Sequence, residues 1–253
     1  MQLRSWQDAG FLSVEKNQLI NTIEVKQLPK ERMIIQSQEH HATEIVAGCR
    51  LPECRKKSTP LSTLTTLTTE KLEKELCTEE EHAEYRHIIG AVMYLQIMTQ
   101  QDLAQACSFL SQFLEAPSSG IQSYVEMKQM ICYIWYTADR CLINGGPYVA
   151  PKGLSQGEMF GYVDSSWESR RSTTGFILCR NGDPIAWCSS KQTSTALSTA
   201  EAEILAASEA TKSVMASRLI LRDIGREIKG PTVLFEDNQA AIYLHRTRAL
   251  LPG

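Results

Sequence analysis

The sequence predicts an α/β protein: a helical α+β region followed by a mixed sheet with packed helices. Three observations carry that prediction. Between Glu79 and Ala138, apolar residues recur three and four apart, the spacing of buried helix faces. From Phe160 to Trp187, short apolar-aromatic runs are separated by turn residues, above all Arg180-Asn181-Gly182-Asp183. Asn-Gly between two such runs is the strongest short-range hairpin signal. A stretch of helical spacing from Ala200 to Ile224 then leads into the β-branched and apolar run Thr232 to Phe235. The resulting order from residue 158 onward, β-β-β-α-β-α, is that of a mixed sheet covered by helices.

Taken along the chain, residues 1–60 carry the weakest patterns. Gly10 to Glu15 alternates and pairs as a hairpin with Leu19 to Val25, and Arg32 to Val46 reads as a helix. Ser58 to Thr69, rich in Ser and Thr, reads as a linker. Thr78-Glu79-Glu80-Glu81 is a helix start: a hydroxyl N-cap, acids in the first turn, and Glu81 as capping-box partner. That helix carries Tyr85, Ile88, Ile89, Val92, Met93 and Leu95. A second helix spans Gln101 to Leu114. A third spans Ile121 to Ala138, with Val125, Met127, Ile131, Ile134 and Trp135 inward, and Asn144-Gly145-Gly146-Pro147 breaks it. Strands are expected at 158–163, 173–180, 184–190 and 232–236, and helices at 200–224 and from Asn238 to His245. Trp167 and Trp187 are expected in the core.

Length and composition bound the function. The chain has 253 residues, 43% hydrophobic and 22% charged, enough for one large or two small globular domains. A net charge of −3 excludes a uniformly basic surface, so nucleic-acid contact would need a local patch. No apolar run reaches the roughly 18 residues of a membrane span, and the N-terminus lacks a signal-peptide stretch. The eight cysteines are scattered and read as reduced thiols of an intracellular chain, cytoplasmic or nuclear. Cys49-x4-Cys54 with His40 and His41 upstream is a weaker zinc pattern, since no second ligand pair follows at finger spacing.

Three carboxylates stand where one element turns into the next. Asp164 ends the run Phe160 to Val163, Glu203 lies in the first turn of the 200–224 helix, and Asp237 follows the run Thr232 to Phe235. Two strand ends and a helix start place three oxygen ligands around one point, the surroundings that hard cations such as Mg²⁺ select. Glu203 is preferred to Glu201, which lies roughly 200° away round the helix. Glu201 and Glu236 read as solvated acids.

These residues sit in five ordered blocks: Gly161-Tyr162-x-Asp164-x-x-Trp167, Arg171-Ser172-Thr173-Thr174-Gly175-Phe176, Pro184-Ile185-x-Trp187-x-Ser189-x-Lys191-Gln192, Ala196-Leu197-Ser198-x-x-Glu201-Ala202-Glu203 and Asp237-Asn238-Gln239-x-Ala241-Ile242. Together they resemble the ribonuclease H domain of copia-type retrotransposon Pol polyproteins. Upstream, Tyr85-Arg86-x-x-Ile89-Gly90-x-x-Met93-Tyr94-Leu95, Thr99-x-x-Asp102 and Leu110-Ser111-x-Phe113-x-x-x-Pro117 resemble the connection region of the same polyproteins. The resemblance implies a remnant of the reverse transcriptase hairpin and thumb over 1–60, a helical connection region over 61–150, and a ribonuclease H-like domain over 157–253. It also implies two divalent ions, Mg²⁺ or Mn²⁺, held by catalytic carboxylates Asp164, Glu203 and Asp237 to hydrolyse the RNA strand of an RNA–DNA hybrid. Arg171, Ser172, Thr173, Lys191, Asn238 and Gln239 would contact the nucleic acid, and the rest of a Pol polyprotein is the expected partner. The family has a fourth acid downstream of Asp237. None occurs between His245 and Gly253, so the domain reads as truncated and cleavage as strongly reduced or absent. The alternative is an inactive relic that binds nucleic acid or serves a structural role.

Overall fold

The computed structural model describes residues 17–49, 54–62, 78–115, 120–155, 157–167 and 171–248. The chain divides into two compact units, one over 14–143 and one over 144–253.

The first unit opens with an antiparallel meander of β1 (Asn17–Ile20), β2 (Ile23–Leu28) and β3 (Met33–Ser37). Ile20 pairs with Ile23 across Asn21 and Thr22, whose φ angles are 47° and 69°. Two left-handed residues in succession give a hairpin turn whose twist matches its strands. The expected strand Leu19–Val25 is therefore itself a hairpin, and its expected partner Gly10–Glu15 lies outside the described residues. The expected helix over 32–46 is also corrected. Ile34 and Ile35 pair with Gln27 and Lys26, because β-branched residues fit a pleated surface better than a helix. The helix α1 (Glu39–Gly48) begins only after them.

α2 (Glu79–Met98) starts on Thr78 as expected. The Thr78 hydroxyl accepts from the Glu81 amide at 3.2 Å and the Glu81 carboxylate accepts from the Thr78 amide at 3.0 Å. The second expected helix is broken into a 3-10 turn (Gln101–Leu103), α3 (Ala104–Leu110) and another 3-10 turn (Ser111–Phe113). α4 (Gly120–Trp135) buries Met127, Met130, Ile131 and Ile134, a face spaced three and four apart. Val125 and Trp135, expected inward, are 58% and 54% exposed. Val125 lies two residues before Met127, roughly 200° round the helix and off the buried face. These helices share one core that includes Ile89, Leu95, Leu103, Leu110 and Ile131. β4 (Cys141–Gly145) joins the sheet in the order β1-β2-β3-β4, and the boundary between the units falls within it. The chain thus leaves α4 at Trp135, earlier than the expected Ala138.

The second unit is a mixed sheet of β5 (Met159–Ser166), β6 (Thr173–Arg180), β7 (Asp183–Lys191) and β8 (Val233–Phe235), in the order β7-β6-β5-β8. β5, β6 and β7 are antiparallel neighbours, and β8 runs parallel to β5. A parallel neighbour needs a crossover, which α5 (Thr199–Asp223) supplies; α6 (Gln239–Arg248) follows β8. Asn181 and Gly182, at φ 54° and 86°, make the expected tight turn. A Cβ on Gly182 would also strike the Tyr148 ring.

The helix α5 lies on one face of this sheet. Ala206 and Ala210 pack on Val163, while Val214 packs with Met159 and Leu178. Small side chains let the helix approach closely, and Gly161 continues the fit: a Cβ there would lie 2.5 Å from Leu178 Cδ2 and 3.0 Å from the Ile177 carbonyl. Side chains alternate along a strand, so Val163 and Ser165 face α5 while Tyr162 and Asp164 face away. On that other face Tyr162 stacks on Phe235 at 5.1 Å between ring centres, and Phe160 meets both edge-on.

Candidate active site

The start of α5 positions the central acid. Ser198 caps the helix by accepting from the Glu201 amide at 3.2 Å, and the Glu201 carboxylate accepts from the Leu197 amide at 2.7 Å. Glu201 is thereby occupied at the helix end. Two residues on, Glu203 turns inward and is only 6% exposed. Gln192 clamps this turn against the sheet: its side-chain amide donates to the Ala202 carbonyl at 2.8 Å and to Thr174 Oγ1 at 3.2 Å.

Burial pushes the Glu203 carboxyl up to about 7. The nearby charges of Glu236, Asp164 and Asp237 push it further in the same direction, while Ser165 beside it opposes the rise. Neither Ser165 Oγ nor Glu203 Oε2 has a hydrogen-bond partner of ordinary geometry among the described residues. Four carboxylates from β5, α5 and the end of β8 therefore share one electrostatic neighbourhood, centred on an acid whose ionisation is disfavoured first by burial and then by its like-charged neighbours.

The expected site acids are not equivalent in this arrangement. Asp164 is exposed and stands two residues short of the end of β5, on the pleat facing away from α5, yet its charge still reaches Glu203. Asp237 is exposed just beyond β8. Glu236, which the sequence left as a solvated acid, is half-buried. One of its oxygens accepts from the Asn238 amide at 3.0 Å, and the other, Oε2, has no partner among the described residues. Its position directly before Asp237 at a strand end was the available signal. Among the described residues, no group of three or more Asp, Glu, His or Cys side chains is disposed to hold a metal ion as it stands. In donor chemistry the cluster fits a hard divalent cation: all its ligands are carboxylate oxygens, and two buried ones are orphaned.

The residues expected to meet nucleic acid lie at one end of the sheet, at the start of β6, the end of β7 and just after β8. Arg171 and Gln239 are exposed. Lys191 is half-buried and its Nζ donates to the Arg171 carbonyl at 3.2 Å, holding the entry of β6 to the end of β7. Ser172 is 0% exposed, which takes its side chain out of direct contact with an external strand; Thr173 beside it is half-buried. Asn238 caps α6, its Oδ1 accepting from the Ala241 amide at 3.0 Å. Trp167, expected in the core, is 52% exposed and donates its indole N–H to the Ala196 carbonyl at 3.4 Å. Trp187 is half-buried.

No family model matches the chain. It is 29% identical over 260 residues to the Retrovirus-related Pol polyprotein from transposon TNT 1-94 of Nicotiana tabacum, covering 94% of this chain and 19% of the polyprotein. It is 26% identical over 226 residues to the Retrovirus-related Pol polyprotein from transposon RE2 of Arabidopsis thaliana, covering 88% of this chain and 14% of that protein. It is also 36% identical over 132 residues to Secreted RxLR effector protein 161 of Plasmopara viticola, covering 51% of this chain and 87% of the effector. The chain thus spans a fifth or less of the two Pol polyproteins.

Proposed function

Since the chain belongs to the copia-type retrovirus-related Pol polyproteins, we propose that its second unit is a ribonuclease H-like domain whose ancestral reaction is hydrolysis of the RNA strand in an RNA–DNA hybrid. The observation that carries this reading is the electrostatic convergence on Glu203 of Asp164, Asp237 and Glu236. Carboxylates gathered beside the buried Glu203 add to the cost of ionising it, and a divalent cation would offset that cost.

In this reading Asp164, Glu203 and Asp237 would hold Mg²⁺ or Mn²⁺, with Glu236 adding charge. The bound ion would supply activation of the attacking water and stabilisation of the leaving oxygen. The chain's own groups do the rest. Glu203 sheds its proton to become a ligand, and Gln192 keeps its helix turn in place. Arg171 and Lys191 offer positive charge to backbone phosphates, and Asn238 and Gln239 lie beside Asp237 at the start of α6. The rest of a Pol polyprotein is the proposed protein partner.

A second reading, hybrid binding without turnover, is favoured by one observation: among the described residues no three acids are closed around a single ion position. The test uses the full chain with a labelled RNA–DNA hybrid in Mg²⁺ or Mn²⁺. RNA-strand products that vanish in Asp164→Asn and Glu203→Gln are the expected result, at a slow rate because the cluster is not closed. Hybrid binding that weakens with salt but yields no products selects the second reading. Neither binding nor cleavage overturns both.

A further inference from the structure

The segment 54–62 runs antiparallel along α4, and four contacts fix it there. Ser62 donates from its amide and hydroxyl to the buried Glu126 carboxylate, at 2.9 and 2.5 Å. Gln129 Nε2 donates to the Thr59 carbonyl at 3.5 Å. The Tyr136 hydroxyl donates to the Cys54 carbonyl at 3.2 Å. The fourth contact is between sulfurs: Cys132 Sγ stands 2.7 Å from Cys54 Sγ. Residues 126, 129, 132 and 136 lie three or four apart, so one stripe of α4 and the turn that follows it carries the whole strap. The meeting of the thiols is therefore set by three flanking contacts, two toward the start of α4 and one just past its end.

We propose that Cys54 and Cys132 are a disulfide-forming pair, taking a small-molecule disulfide such as oxidised glutathione as co-reactant and cross-linking the strap to α4. Both are free thiols here, and their sulfurs lie only about 0.7 Å beyond a disulfide bond length. Cys54 is half-buried and Cys132 buried, which assigns their roles. The Cys54 thiolate attacks one sulfur of the glutathione disulfide, forming a mixed disulfide and releasing one glutathione thiolate. The Cys132 thiolate then attacks Cys54 Sγ and expels the second glutathione. Two electrons pass from the protein thiols to the glutathione disulfide, and their two protons end on two glutathione thiols. Cys49 is the near competitor, since it lies close enough to push the Cys54 thiol further up, but its own thiol is buried and donates to the Ile45 carbonyl at 3.1 Å. Burial pushes the Cys54 thiol up to about 12 and the Cys49 thiol up to about 11. The attacking Cys54 thiol is thus protonated at neutral pH, and exchange there is slow.

The test incubates the full folded chain with oxidised glutathione in mildly alkaline buffer, quenches free thiols by alkylation, and maps peptides without reduction. The expected result is a Cys54–Cys132 cross-linked peptide, a loss of two hydrogens from the intact mass, and a melting temperature that rises and returns on adding reductant. Cys49→Ser keeps the cross-link, while Cys54→Ser and Cys132→Ser each lose it. Recovery of both cysteines alkylated, a stable glutathione adduct on Cys54 alone, or a cross-link between another pair overturns the proposal. The wild-type peptide map decides the matter even where a serine variant fails to fold.

Discussion

At the scale of single residues, the most consequential group is Glu203. Its carboxyl is pushed up to about 7, above the ~4.3 of a free glutamate. Below the lower value both folded and unfolded chains hold the proton and stability does not depend on it. Between the two, only the unfolded chain gives the proton up, so stability falls as pH rises; above about 7 the loss is complete. With a discount for solvent at this edge of the sheet, we expect about 1–2 kcal/mol of such loss in chelator. Glu203→Gln should remove it, giving a variant that melts higher than the parent at alkaline pH. If the carboxylates bind divalent ions, Mg²⁺ should raise the parent's melting temperature there and leave the variant's nearly unchanged. Thermal melts across pH, with and without Mg²⁺, decide this, and a parent whose stability is flat from acid to alkaline pH contradicts the assignment. Gly161→Ala tests the packing beneath the site. The new methyl would meet Leu178 Cδ2 at 2.5 Å and the unyielding Ile177 carbonyl at 3.0 Å. Overpacking of this kind costs about 1–3 kcal/mol, read as a lower denaturation midpoint.

Elements formed where the sequence carried a local reason for them. Thr78 with Glu81, Asn181-Gly182, and Ser198 with Glu201 at the start of α5 each fix their element by contacts a few residues apart, and each appears within a residue or two of its expected position. Thr78→Ala should therefore shorten α2 from its first turn and lower stability by about 1 kcal/mol, visible as faster amide exchange confined to Glu79–Glu81. An unchanged exchange pattern there would mean that packing of Tyr85 and Ile88 alone holds the helix start. Where an element depends on distant partners, the local pattern misled. Ile34 and Ile35 became a strand because β2 was there to pair with them. Val125 and Trp135 turned outward because Met127, Met130, Ile131 and Ile134 together bury a better face. The site shows the same division. The sequence pointed to Asp164, Glu203 and Asp237 from their places near element boundaries; in the fold the charges of Asp164 and Asp237 bear on Glu203, while Glu201 accepts from the Leu197 amide. The charge of Glu236 at Glu203 and the bond from the Gln192 amide to the Ala202 carbonyl were not legible, because both depend on which elements the fold brings together.

For the molecule as a whole, the distribution of buried side chains makes a prediction that no single element does. The largest described cluster draws on residues 42 to 138 alone, including Leu95, Leu103 and Leu110. The clusters under the second sheet draw on residues 159 to 234 alone, including Met159, Leu178 and Val214. Each described core is thus built entirely from one of the two units. Damage to one core should stay in its own unit, since substitutions without shared partners act independently. Leu110→Ala empties a fully buried site and should cost about 2–5 kcal/mol. Hydrogen exchange should then quicken across α2, α3 and α4 while β5, β6 and α5 keep the parent's rates. Gly161→Ala should do the reverse, and the double variant should show the sum of both patterns. If either substitution speeds exchange equally in both units, the chain opens as one cooperative body and the assignment of separate cores is wrong. The same experiment bears on function. Hybrid binding or cleavage that survives Leu110→Ala but not Gly161→Ala would place the activity in the unit that carries Glu203.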